Sequence, residues 1–286
     1  MRPKAQSSNH NEWVYSRLAD AETLPSSAEG FSMAFHPLLH PVFESLRFGR
    51  ILFVEISPAP PAGRRCRYCD VFMPENRDAE RSHFSAADAA VRSILAALER
   101  GAAVESVVFG GAGDPLRHRG VGSILRQLRQ SAHVGTIVLS DGRLLADRQV
   151  RREAGESGTV VVWLPAIDER DADSTRALAR RDAFGRRVEA IASLRRETPT
   201  EVVLELPVRS TTTSVALDAW KKAAQRIRPA RVLAVASRAD AGDPAALERV
   251  KAAIHRKAGA YLDDDTIADR RCFCDTDPSP PIVEPA

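Results

Sequence analysis

The sequence predicts an α/β fold built from six strand–helix units in succession. Three observations carry this. Short, β-branched apolar runs recur along the chain; turn chemistry follows them; and stretches with apolar residues three and four apart come next. With 286 residues, 44% of them apolar, the chain can bury one sizeable core.

The first strand is read at ILFVEIS (Ile51–Ser57), which ends at Pro58. A helix is expected from Ser85, with Ser85 and Asp88 as a capping box and Ala87, Val91, Ile94 and Leu98 on one face. VESVVF (Val104–Phe109) is the second strand, followed by a glycine-rich turn and a helix through Ile124, Leu125 and Leu128. TIVLS (Thr136–Ser140) is the third and feeds a turn at Asp141–Gly142. TVVVWL (Thr159–Leu164) leads into a helical stretch, Arg170–Arg196, expected to break near Gly185. EVVLEL (Glu201–Leu206) precedes a helix carrying Leu217, Trp220, Ala224 and Ile227. RVLAVA (Arg231–Ala236) precedes a last helix, with Asp243 as N-cap, Pro244 at the first helical position and Leu247, Val250 and Ile254 as its stripe.

Strands this short, valine-rich and continuously apolar are buried on both faces. Right-handed crossovers between them give either an open doubly wound sheet or a partial barrel, and periodicity does not choose between the two. In both, ligands gather beyond the C-terminal ends of the strands, where Cys66, Gly110–Pro115 and Asp141–Gly142 fall.

The 41 Lys and Arg against 38 Asp and Glu leave a formal charge of +3, spread through the helical stretches. Nothing in that balance indicates nucleic acid. No apolar run reaches the roughly 18 residues of a membrane span, and the first thirty residues lack the apolar centre of a signal peptide. A cytoplasmic location is expected.

Four cysteines form two close pairs, Cys66 with Cys69 and Cys272 with Cys274. Paired thiols in a reducing compartment read first as metal ligands or redox groups. Cys-x-x-Cys turns both sulfurs to one side, as a zinc site or an iron–sulfur cluster requires, and Arg64, Arg65 and Arg67 favour the thiolate. A redox dithiol or plain buried thiols are the other readings. Convergence of both pairs on one site is a natural hypothesis; an inert tail is the bland one.

FGGAGDPLRH (Phe109–His118) lets backbone approach a ligand at Gly110, Gly111 and Gly113, with Asp114 to hold an ammonium. It is neither a dinucleotide fingerprint nor a P-loop, and a tight turn is its bland reading. His118 and His133 read as ligands, bases or polar surface. Glu55 and Glu205, inside apolar strands, turn either toward the cavity or outward. Asp168, Asp171 and Asp173 form a carboxylate cluster of the kind that is usually solvated.

Taken in order, these features resemble the radical S-adenosylmethionine (SAM) superfamily, in particular its molybdenum-cofactor and wyosine-base members. HPVFESLRFGRILFVEISP resembles the approach to their cluster loop, and CRYC (Cys66–Cys69) the end of their Cys-x-x-x-Cys-x-Tyr-Cys motif. GAGDPLRH resembles their Gly-x-Gly-Glu-Pro segment with Asp114 for Glu, and LSDGRLL (Leu139–Leu145) their Thr-Asn-Gly turn. The resemblance implies a partial (β/α)6 barrel over residues 38–260, after an N-terminal arm (1–37) and before a C-terminal segment (261–286) with the Cys-x-Cys pair and a proline-rich tail. It also implies a 4Fe–4S cluster held by three cysteines, whose open iron chelates SAM. SAM is then cleaved to a 5′-deoxyadenosyl radical that abstracts hydrogen from substrate. Gly111, Gly113, Asp114 and Ser140 are the implied SAM contacts, and an external electron donor the implied partner.

One departure is plain: Ala62 stands where the first cysteine of the motif should fall. Either Cys272 or Cys274 supplies the missing ligand, or all four cysteines hold zinc or a closed cluster, or the chain is a non-catalytic relative acting as a structural or partner protein. The first is the favoured expectation, with substrate and oligomeric state open.

Overall fold

Seven strands of one sheet run parallel, and they do so in chain order. The computed structural model describes residues 37–45, 48–57, 64–65, 72–73, 81–100, 103–111, 113–165, 175–208, 212–236, 245, 248–250, 252 and 261–262. Two short strands, β1 (Leu38–Leu39) and β2 (Phe43–Ser45), fold back antiparallel along β3 (Gly49–Glu55). A separate antiparallel pair, β4 (Arg64–Arg65) and β5 (Phe72–Met73), follows. Helix α1 (Ala87–Arg100), β6 (Ser106–Phe109), α2 (Val121–Ser131), β7 (Gly135–Ser140) and α3 (Arg148–Ala154) come next. Then come β8 (Thr159–Trp163), α4 (Thr175–Glu197), β9 (Glu201–Val208), α5 (Ser214–Ile227), β10 (Arg231–Ala236) and β11 (Tyr261–Leu262).

The order β3-β6-β7-β8-β9-β10 contains no reversal, which excludes the doubly wound alternative. Burial distinguishes the two faces of the sheet. On one sheet face the alternate residues join the helices in a large core, with Leu52, Val107, Val138, Val160, Val202 and Val232 among them. On the other face Ile51, Phe53, Val108, Ile137, Val161, Val203 and Leu233, drawn from all six strands, form a second cluster that includes no helix residue among the described ones. An inner face built from alternate residues of six consecutive parallel strands is the wall of a (β/α) barrel. The sheet stays open, so the architecture is a partial (β/α)6 barrel.

Three local readings need correction or extension. Helix α1 starts at Ala87, not Ser85, and the expected capping box does not form. Ser85 Oγ lies 3.2 Å from His118 Nε2, while Asp88 Oδ1 accepts from Gln127 on α2 at 2.9 Å. Helix α4 runs unbroken through Gly185, because Phe184, Val188, Ile191 and Leu194 hold that stretch against the core. Helix α3, capped by Asp147 accepting from Gln149 N at 2.7 Å, adds an element between the third and fourth barrel strands. Trp220 is core as expected, with its indole N–H donating to Leu164 O at 3.0 Å. No helix among the described residues is long and apolar enough to cross a membrane.

Candidate functional site at the C-terminal mouth

Strand polarity brings the ends of β3, β6, β7, β8 and β9 to one edge of the sheet, and the chemistry-bearing residues lie there. Asp114 follows β6 and its carboxylate joins two loops. Oδ1 accepts from Leu116 N at 2.9 Å, capping a 3₁₀ turn at Pro115–Arg117; Oδ2 accepts from Ser140 Oγ at 2.7 Å and Asp141 N at 3.2 Å. Burial and then the neighbouring Asp141 push its pKa up to about 6, against the lowering effect of these hydrogen bonds. Ser140 Oγ in turn accepts from Gly142 N at 3.0 Å. Gly142 has a φ of +75° and its α-carbon faces Val162, so a side chain fits neither the conformation nor the space. Asp141 Oδ1 accepts from Arg143 N at 2.9 Å, and its Oδ2 takes both Nε and Nη2 of Arg143.

The glycine run is pinned from within the barrel. A β-carbon on Gly110 would lie 2.8 Å from Phe53 Cζ and 3.0 Å from Leu139 Cδ1. One on Gly111, whose φ is +106°, would lie 2.1 Å from Glu55 Oε2. The close approach these glycines permit is therefore made in part to Phe53 and Glu55. Glu55 shares the alternation of Ile51 and Phe53, so it faces the barrel interior, and it accepts from His40 Nε2 at 3.0 Å. Glu205 shares the alternation of Val203 and stands opposite Trp163 in the β8–β9 ladder. The interior wall near the mouth thus carries two carboxylates and an indole, the cavity-facing option for both glutamates.

His118 is not at the mouth chemistry. It is fully buried; Nδ1 accepts from Gly120 N at 2.8 Å, so Nε2 bears the proton and donates to Ser85 Oγ. Burial, then His83, lowers its pKa to about 4. Its role is to tie residues 82–85 to the turn before α2. Arg81 reinforces the tie by donating to Leu116 O at 2.8 Å and pairing with Glu153. His133 is exposed.

The four cysteines, Ala62 and the Asp168, Asp171 and Asp173 cluster lie outside the described residues, as do Asp243 and Pro244. The β4–β5 pair, with Arg65 opposite Phe72, brackets the six residues that contain Cys66 and Cys69. Among the described residues no group of three or more His, Cys, Asp or Glu could hold a metal ion. Sequence reasoning missed Arg143 and Arg187. The available signal for Arg187 was an arginine placed three and four residues from Phe184 and Ile191, within the buried stripe of α4.

The fold and mouth define an open (β/α)6 barrel with its polar groups at the C-terminal ends of the strands. No family model matches the chain. It is similar to a GTP 3′,8-cyclase from Chlorobaculum tepidum, 28% identical over 141 residues, covering 48% of this chain and 39% of that protein. It is also similar to the GTPase Obg of Brachyspira hyodysenteriae, 20% identical over 238 residues, covering 79% of this chain and 35% of that protein. Among solved structures, a radical SAM methyltransferase from Sphaerobacter thermophilus superposes with a TM-score of 0.49 at 16% identity, over 74% of this chain and 65% of that one, too partial a likeness to carry weight. The resemblance to the radical SAM superfamily is borne out by the cyclase match. The chain spans little more than a third of the length of these curated relatives, whose names differ, so their activities are not carried over.

Proposed function

We propose that the protein is an atypical iron–sulfur enzyme of radical SAM type, in which Cys66, Cys69 and one of Cys272 or Cys274 hold a 4Fe–4S cluster. The observation that carries this reading is the direction of β11. Tyr261 and Leu262 pair in parallel with Arg231 and Val232, at the start of β10, so the chain leaves Leu262 heading toward the mouth. From Val232 to Ala236 the sheet rises about 13 Å, whereas the ten residues from Leu262 to Cys272 span up to about 35 Å when extended. A tail thiolate is therefore within reach of the edge beyond which the Cys66 loop begins.

The donor set fits the cluster: thiolates in close pairs are its usual ligands. The mouth fits SAM as well. A carboxylate has about four acceptor sites; Asp114 uses three, in the bonds from Leu116, Ser140 and Asp141, and keeps one for an ammonium. Gly113 offers backbone beside it, while Gly111 and Ser140 fix the two loops. The cofactor pair supplies one-electron chemistry that begins with hydrogen abstraction from a substrate, and an external donor supplies the electron. The protein's own residues hold, orient and exclude water; Glu55, Trp163 and Glu205 face the space where a substrate would sit.

Anaerobic purification followed by assay of iron, sulfide and zinc, with visible spectra before and after SAM, tests the reading. About four irons and four sulfides per chain, with a spectrum that changes on adding SAM, are expected. Zinc alone, or a cluster indifferent to SAM, overturns it.

A further inference from the structure

Arg187 is a cation with no ion-pair or hydrogen-bond partner among the described residues, although the Asp141 carboxylate lies near enough to favour its charge. It sits on α4 and is half-buried, its stem against the α-carbon of Gly142 at the end of β7, where a β-carbon would come within 3.6 Å of Arg187 Cγ. Its Nε is buried and has no hydrogen-bond partner among the described residues. A guanidinium removed from water with a donor unsatisfied is costly, so such a group calls for a partner.

Neither of the two carboxylates at this corner hydrogen-bonds to Arg187. Asp141 gives both oxygens to Arg143, and Asp114 gives its oxygens to Leu116, Ser140 and the Asp141 amide. Asp141 is paired with Arg143, whose side chain is 52% exposed, so Arg187 feels its charge without bonding to it and keeps a buried donor unpaired among the described residues. The Cβ-free surface of Gly142 leaves the loop low beside the guanidinium. We propose that Arg187, with Arg143 behind it, binds an oxyanion, the carboxylate or phosphate group of a small ligand, on the helix side of the rim between β7 and α4. A planar fork of N–H donors is suited to two oxygens at once, which is why arginine rather than lysine serves at such a place.

The inference does not rest on the cluster, and its test needs neither iron nor SAM. The full chain as purified is titrated with sodium phosphate and, separately, sodium acetate, each against sodium chloride at equal ionic strength, while the thermal midpoint is read. A saturable rise with at least one of the two is expected; a phosphate response names a phosphate ester and an acetate response a carboxylate. Arg187→Gln is expected to abolish the rise, and Arg187→Lys, which keeps stem and charge, to weaken the apparent affinity roughly tenfold. Should the Gln variant fail to fold, the Lys variant carries the comparison. A wild-type midpoint that follows ionic strength alone, or a response unchanged in both variants, overturns the proposal.

Discussion

At the scale of single residues, Asp114 and His118 carry opposite proton linkages over the same pH range. The Asp114 carboxyl, raised from 3.8 to about 6, holds its proton more tightly in the folded chain than in the unfolded one. Its contribution is full below 3.8 and is lost as pH rises through 6. His118, lowered from 6.5 to about 4, is held neutral by the fold; its contribution is full above 6.5 and is lost as pH falls to 4. Each is worth at most about 3 kcal/mol, so together they nearly cancel. Replacing one exposes the other. Urea unfolding between pH 4 and pH 6.5 should show stability rising with pH in Asp114→Asn, relative to wild type, and falling in His118→Asn, where the amide oxygen can still accept from Gly120 N–H. Variants that run parallel to wild type would show that neither group is perturbed as described. Asp114 was legible from its glycine-rich setting at a strand end. The burial of His118 was not, because it depends on residues 81–85 crossing over the turn, a contact between segments with no local pattern of its own.

Elements were legible where one force dominated. All six barrel strands were readable because continuous valine-rich runs have few other uses, and α5 was readable from its stripe. Boundaries failed where tertiary contacts outweighed local preference: Ser85 serves His118 rather than a cap, and α4 passes through a glycine that propensity alone would make a break. Two glycines test this balance. Gly185 has nothing within 4 Å of its would-be β-carbon and lies inside a continuous helix, so Gly185→Ala should stabilise by about 0.5–1 kcal/mol. Gly142, at a φ of +75° with Val162 Cγ1 2.8 Å from its would-be β-carbon, should lose about 1–3 kcal/mol as alanine. Chemical denaturation of both variants checks the pair. A destabilised Gly185→Ala would mean that the helix does need its glycine there.

For the whole molecule, sequence left open whether the sheet was doubly wound or barrel-like, since that choice is made by which strands pair. The unreversed order decides it, and the inner cluster that runs through all six strands places Glu55 and Glu205 on the inward face, a question that alternation within one strand could not answer. β11 went unread because two residues carry no period. Yet it sets the direction in which Leu262 points, and with it the strongest test of the proposal that a chain with Ala62 binds a cluster. A chain ended after Leu262 keeps every described strand, so its urea midpoint should correspond to wild-type stability within about 0.5 kcal/mol. After anaerobic reconstitution, its iron content should fall to that of Cys66→Ser. Cys272→Ala and Cys274→Ala, made singly, should divide the effect unequally, because an open iron needs only one tail thiolate: one exchange should abolish iron binding and the other leave it intact. Iron retained by the shortened chain would remove the tail from the site. Iron lost from both single variants would mean that both tail thiolates are ligands, closing the cluster and ending the case for SAM chelation.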